Sequence, residues 1–456
     1  MSDRPTLQAQ LEEHDAQALD LRFTDLGGRW RHLTLDAATA TDERLSRAAM
    51  IDGASIPGWR DVAESDLLLL PDLDRVWADP FTAQPTLLCV ADVADPATTA
   101  GYERCPRSAL ARVRDDLIGR GVADQVEVSV DLAFYVFDAL DLRQGPTALG
   151  YDATVAQAVA APQPWTSTYL VGQPEDRLAD LRAEMVSTLA RLGVDGLSHV
   201  ALHGPGQCEL KFGPSELLQA ADQLQLARYV IDGVARAYGK VASFLPVPLA
   251  QAPGSGLHLH LSFRKDQRYL FAGQGYADLS DTCLHAIGGV LRHCAVLNAF
   301  ANPSTNSYRR LRAGRAEPAI LGFGARNRAT AIRIPSAAKP EHKRVELRFP
   351  DPLANPYLTL GSLVLAMADG IQHRIDPGEP IDRHMYDLIA DGGDGLERCA
   401  ANLEAALTAL DAARCGLFAK DLIPGELIDA YIWLKRAEID RVAGQPHPIE
   451  HLIYGS

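Results

Sequence analysis

The stretch GSGLHLHLSF, Gly254 to Phe263, alternates leucine with polar side chains over most of its length. Residues two apart on an extended strand point the same way, so Leu257, Leu259 and Leu261 share one face and His258, His260 and Ser262 the other. Three more segments repeat the pattern. Asp131 interrupts the apolar run SVDLAFYVF, Glu209 sits inside QCELKF, and Glu346 and Arg348 alternate with Val345, Leu347 and Phe349 in KRVELRFPDP. An antiparallel sheet with one wet side accounts for any single case. Four strands that each turn an acid, a histidine or an arginine away from the core instead predict a lined cavity. Carboxylates and imidazole around a cavity are a donor set for a divalent cation. Arg310, Arg312, Arg315, Arg326, Arg328, Arg333 and Arg344 crowd one short span, and guanidinium forks suit carboxylates and phosphates. A cation beside arginines implies a multiply charged anion, a nucleotide being the obvious candidate.

Around these strands the chain reads as α+β. Its 456 residues are about three times the usual domain length, which predicts two or three domains, or one large domain with a small companion. The first hundred residues form short strands, with a hairpin signal at Gly27-Gly28. A helix begins in CPRSALARVRDDLIGRG, which places the domain boundary near Cys105, dividing the chain into 1–104 and 105–456. Beyond it, VEVSVDLAFYVFD reads as a strand, DRLADLRAEMVSTLARLG as a helix stopped by Gly193, and HVALHGPGQCELKFG as a hairpin. SELLQAADQLQLARYVIDGVARAYG has helical apolar spacing, a serine in capping position and a closing glycine. Further helices are expected around Asp281–Asn298, Tyr357–Ile371, Gly395–Leu410 and Glu426–Val442.

Charge narrows the partners. Forty-four basic against 59 acidic residues leave a net charge of −15, which argues against nucleic acid. No apolar run approaches the roughly 20 residues of a membrane span, and the polar, acidic start MSDRPTLQAQLEEHDAQ lacks the apolar core of a secretory signal. A soluble cytoplasmic protein is expected. Seven scattered cysteines without a C-x-x-C pair suit reduced thiols better than disulfides or structural zinc.

In chain order, MIDGASIPGW, GSGLHLHLSF, NAFANPSTNSYRRL, ARNRATAIRIP, RVELRFPDPLANPYL and PHPIEHLIYGS resemble the signatures of the glutamine synthetase family, bacterial type I, at closely similar spacing over nearly the full chain. The resemblance implies a small β-grasp domain and a large catalytic domain whose curved antiparallel sheet, backed by helices, forms half a funnel. It also implies homo-oligomers, double-ring dodecamers, whose sites are completed by the neighbour's small domain. The chemistry it implies uses ATP and two divalent cations, Mg²⁺ or Mn²⁺. The γ-carboxylate of glutamate is phosphorylated, and ammonia then displaces the phosphate.

Carried over residue by residue, the ligands of the ATP-side metal fall on Asp131, His258 and Glu346. His260, Ser262 and Arg344 match nucleotide-contacting positions. Arg310 and Arg348 match the arginines that grip the amino-acid substrate, Gly254 matches a substrate position, and Arg328 and Arg333 match those serving the transferred phosphate. Asp52 matches the aspartate that a neighbouring subunit contributes to ammonia deprotonation. The other metal's ligands, all glutamates in the family, fall on Ala133, Ala201 and Glu209, so one well-formed metal site is expected rather than two. Ala316 stands where the family has the glutamate that receives ammonium, Pro253 replaces an asparagine beside the substrate, and Glu341 replaces a basic residue near the nucleotide. Tyr386 resembles a tyrosine adenylylated in some type I enzymes.

Three readings follow. One is an ATP-dependent carboxylate–amine ligase that forms a γ-glutamyl amide with an amine other than ammonia, or uses a related acid. Another is a non-catalytic ring protein that binds nucleotide or amino acid, and the third is a true glutamine synthetase.

Overall fold

The computed structural model describes residues 6–41, 45, 49–145, 148–155, 169–311, 320–382, 397–445, 447 and 453. Two sheets organise them. The first holds β1 (Ala18–Thr24), β2 (Trp30–Asp36), β3 (Met50–Asp52), β4 (Asp66–Ala78) and β5 (Thr86–Ala94) in the order β2-β1-β5-β4-β3. β1 and β5 run parallel and the other neighbours antiparallel. Helix α1 (Leu7–Glu13) precedes this sheet.

The second sheet is built from β6 (Gln125–Gly145), β7 (Ala148–Val155), β8 (Ser198–Ala201), β9 (Gln207–Glu216), β10 (Val241–Ser243), β11 (Leu257–Lys265), β12 (Arg268–Tyr269), β13 (Phe323–Ala325), β14 (Ile332–Ile334) and β15 (Val345–Leu347). Its main path is β13-β14-β15-β11-β6-β9-β8. It is antiparallel except where β13 and β14 pair parallel, a departure from the all-antiparallel expectation at one edge. Leu257, Leu259, Leu261 and Phe263 of β11 are buried with Val128, Val130 and Leu132 of β6 in one hydrophobic core.

The remaining described α-helices are α2 (Pro106–Gly119), α3 (Ala179–Arg191), α4 (Leu217–Ala237), α5 (Asp281–Ala301), α6 (Ser307–Arg310), α7 (Pro356–His373), α8 (Leu403–Ala412) and α9 (Gly425–Ala443). α5 packs along α7, and the two backbones touch. A Cβ on Gly289 would lie 2.0 Å from the Ala366 carbonyl oxygen, and one on Gly370 would lie 2.1 Å from that of His285. α5 is long and apolar enough to cross a membrane, yet 61% of its most apolar window is buried inside the protein, as in a core helix.

Two helix starts differ from expectation. α4 is capped by Glu216, whose carboxylate accepts from Leu218 N and Gln219 N, and not by the preceding serine. The helix expected from Gly395 begins at Leu403, because the Asn402 side chain accepts from Ala405 N and sets the first turn there. All seven cysteines are free, and only Cys415 is exposed.

The small sheet is pinned to the larger body by polar groups. Gly28 turns the β1–β2 hairpin at φ +83°, and a Cβ there would lie 3.2 Å from Asn355 Cα. Asn355, the α7 N-cap, donates to the Asp25 carbonyl at 3.0 Å. Deeper in, buried Arg107 of α2 donates to Asp222 of α4 twice at 3.0 Å, to Asp92 at 2.8 Å and to Asp72 at 2.5 Å, and Tyr357 donates to Asp222 at 2.7 Å. Removing one member of a buried charge network strands the others. Arg107→Ala is therefore expected to cost about 3–5 kcal/mol of stability in urea unfolding; an unchanged midpoint would show that the network carries no load.

Candidate functional site

The leucine face of β11 sits in the core, so its polar face must look outward, and strand register decides what it meets. His258 lies opposite Asp131, and His260 lies between Ser129 on β6 and Glu346 on β15. Glu346 in turn faces Arg333 on β14. Across β6, Asp131 faces Lys211 and Ala133 faces Glu209. Five strands thus carry one continuous polar surface.

On it, Asp131, Glu209 and His258 each present a ligand atom, all within 4.8 Å of one another. Two hard carboxylates and one imidazole fit a divalent cation. Glu346 adjoins them, with its Oε1 3.6 Å from His258 Nδ1. It is held by cations, accepting from Arg348 Nη1 at 2.5 Å and from Arg333 Nη1.

Protonation states follow from these neighbours. Burial alone would raise the Asp131 carboxyl, but the His260 hydrogen bond and charge and the Lys211 ammonium bring it to about 2. Glu346 is likewise opposed by burial and lowered by its basic neighbours, Arg348 and Arg333 among them. Burial, then the charge of Arg348, holds His258 well below its ordinary value, which keeps the imidazole neutral and able to coordinate. Glu209 is raised by burial and by Asp131, against the pull of Lys211.

A cavity of about 390 Å³ opens beside this cluster, with Asp131, Lys211, His260, Ser262, Arg333 and Arg344 in its wall. The three residues expected near a nucleotide are thus together: Arg344 Nε lies 3.4 Å from His260 Nδ1, and Ser262 Oγ donates to the Lys343 carbonyl at 3.0 Å. Glu341 lines the same cavity.

The expected amino-acid grip is arranged unequally. Arg310 is fully buried, and its guanidinium donates to the carbonyls of Arg348, Phe349 and Pro350 at 2.8–3.1 Å. It therefore shapes the Arg348 segment. Arg348 Nε donates to the Arg328 carbonyl at 3.1 Å. The Gly254 carbonyl accepts from Gln207 at 2.9 Å and that of Pro253 from Tyr135 at 2.6 Å, so this loop is tied to β9 and β6.

Of the positions read as altered, Ala133 offers Glu209 only a methyl group, Val200 stands on its other side, and Ala201 pairs with Cys208. A second divalent ion at Glu209 does not fit these donors. His203 stacks on Tyr169 with ring centroids 4.8 Å apart. Asp52 is exposed in the small sheet, and its carboxylate caps Ala54 N at 2.9 Å and accepts from Ser55 Oγ at 2.5 Å. The Ser55 and Ala54 bonds hold that carboxyl below its ordinary value. Ala316 and Tyr386 lie outside the described residues. The residue missed in the sequence is Lys211, two places after Glu209 in QCELKF and so on the same face; the alternation that singled out Glu209 was enough to find it.

Asp131→Asn is expected to weaken Mn²⁺ binding at least about tenfold in an electron paramagnetic resonance titration of free Mn²⁺. Wild-type affinity in that variant would remove Asp131 from the ligand set.

Comparison with known proteins agrees with this architecture. The model of the glutamine synthetase catalytic domain matches residues 103–454, and that of the glutamine synthetase β-grasp domain matches residues 15–96. The glutamine synthetase of Salmonella typhimurium is 39% identical over 98% of each chain. Among solved structures, a GmaS/ADP complex superposes with a TM-score of 0.85 at 27% identity, covering 99% of each chain. A Plasmodium falciparum glutamine synthetase shares the fold, with a TM-score of 0.89 at 21% identity over 98% of this chain and 99% of that one. The two sheets described above are thus the β-grasp and catalytic sheets of this fold, and the chain belongs to the glutamine synthetase family.

Proposed function

We propose that this chain is an ATP-dependent carboxylate–amine ligase acting on glutamate or a related acid, with an amine other than ammonium as the usual nucleophile. The observation that carries the reading is a polar surface on which strand register joins Asp131, His258 and Glu346 to Arg333, Arg344 and Arg348, while Ala133 faces Glu209 with no oxygen to offer. The likeness to GmaS, solved as a complex with ADP, supports the nucleotide part of the reading.

In the reaction, an oxygen of the acid's carboxylate attacks the γ-phosphorus of ATP and ADP departs. The amine nitrogen then attacks the acyl phosphate carbon, phosphate leaves, and the nitrogen loses a proton. A divalent cation held by Asp131, His258 and Glu209, with Glu346 at its edge, would neutralise phosphate charge and polarise the transferred group. The side chains do the rest. His260, Ser262 and Arg344 bound the nucleotide cavity, and Arg328 and Arg333 receive the moving phosphoryl group. Arg348 clamps the acid's α-carboxylate, and Arg310 acts through it by fixing the backbone of residues 348–350. Glu346 holds Arg333 and Arg348 in place before substrate arrives, which limits reorganisation during transfer.

The proposal includes a soluble cytoplasmic homo-oligomer, a dodecameric ring in which each Asp52 completes a neighbour's site, and a domain division at 104/105. The same Ala133–Glu209 pairing favours one alternative, a ring protein that binds nucleotide without turnover.

The deciding experiment incubates the full chain with ATP, Mg²⁺ and glutamate, adds ammonium or one of a panel of primary amines, and follows ADP and product mass. Turnover with an amine and not with ammonium is the expected result. Efficient glutamine formation would replace it with true glutamine synthesis, and ATP binding without ADP from any mixture would establish the ring-protein alternative. Arg348→Ala is expected to lower glutamate affinity by at least about tenfold, the order of a lost charge-assisted bond; unaltered calorimetric binding would remove Arg348 from the clamp.

A further inference from the structure

We propose that Lys211 is the second cation of this site, its ammonium standing between Asp131 and Glu209 in place of a second divalent ion. The inference deepens the ligase reading, since it concerns the same phosphoryl-transfer surface. Lys211 Nζ lies 2.7 Å from Asp131 Oδ2 and 3.0 Å from Glu209 Oε2. It joins the only two carboxylates of the Asp131–Glu209–His258 cluster.

The arrangement is set by the backbone. Lys211 lies directly opposite Asp131 across the β6–β9 ladder and two residues from Glu209, so all three side chains leave the same face. The positions flanking Glu209 across the sheet, Ala133 and Val200, carry no donor atoms. A divalent ion at Glu209 would have to share Asp131 with the first ion and displace the ammonium. Asp131 and Glu209 repel one another, and burial adds to the cost of both charges; the ammonium relieves this with a single charge and two hydrogen bonds.

Lys211 also lines the cavity shared with Arg333 and Arg344. An ammonium has three donors, and the two carboxylates take two of them. The third is available to a phosphoryl oxygen, in the manner of a point-charge phosphate binder. The site therefore runs on one exchangeable cation and one built into the chain.

The test counts metal on the full-length protein by electron paramagnetic resonance of free Mn²⁺, with no acid or amine present. Wild type is expected to take one Mn²⁺ per chain. Lys211→Met, which keeps the length and loses the charge, frees Asp131 and Glu209 from the ammonium and is expected to bind its one Mn²⁺ at least about tenfold more tightly. Lys211→Arg is expected to keep the wild-type count. Two Mn²⁺ per wild-type chain, or a Met variant that titrates like wild type, would overturn the proposal. If the Met variant fails to fold, the counts for wild type and Lys211→Arg still decide, since a second Mn²⁺ in either means the cation is displaced. Metal counting needs no turnover, so its failure leaves the ligase reading standing, and absent ADP release leaves the count standing.

Discussion

Everything at this site depends on the leucine face of β11 being buried. Leu257, Leu259, Leu261 and Phe263 enter a core shared with Val128, Val130 and Leu132 of the adjoining strand. Each large apolar side chain contributes about 1.5–3 kcal/mol on burial. A one-residue slip would expose all four and turn two imidazoles inward, which makes the register very costly to change. His258 and His260 are held on the cavity side by hydrophobic groups on the opposite side.

That polar face would be untenable without charge compensation. Asp131, Glu209 and Glu346 are at least half-buried, and each has a cationic neighbour: Lys211 for the first two, Arg333 and Arg348 for the third. The result is a surface that keeps the Asp131 and Glu346 carboxylates ionised at depth and arginines aimed before any ligand binds. Such preorganisation is what phosphoryl transfer requires of a protein. The β-grasp sheet is joined to the body through a separate network around Arg107 and Asp222, so its docking does not draw on the charges of the site.

Much of this was legible in the sequence. The alternation around Asp131, Glu209, His258 and Glu346 picked out residues that adjoining strands bring together, and α2, α3, α5, α7 and α9 lie where apolar spacing put them. The misses are local and physical. Glu216 caps α4 because a glutamate carboxylate reaches the free N–H groups of the first turn, ahead of the serine that composition favours. The parallel β13–β14 pair comes from two three-residue strands, too short to carry a pairing signal.

Periodicity alone determined which residues share a face, because the pleat repeats every two residues and depends on nothing distant. Which of those residues meet was decided only by the tertiary structure. Asp131 and Lys211 are 80 positions apart, yet stand opposite each other. No spacing rule links them; the register of β6 against β9 does, and that register is the joint outcome of every side chain buried beneath it. The same pairing sets Ala133 against Glu209 and puts an ammonium beside two carboxylates. The residue types were written in the sequence, and their encounter was a property of the packed sheet.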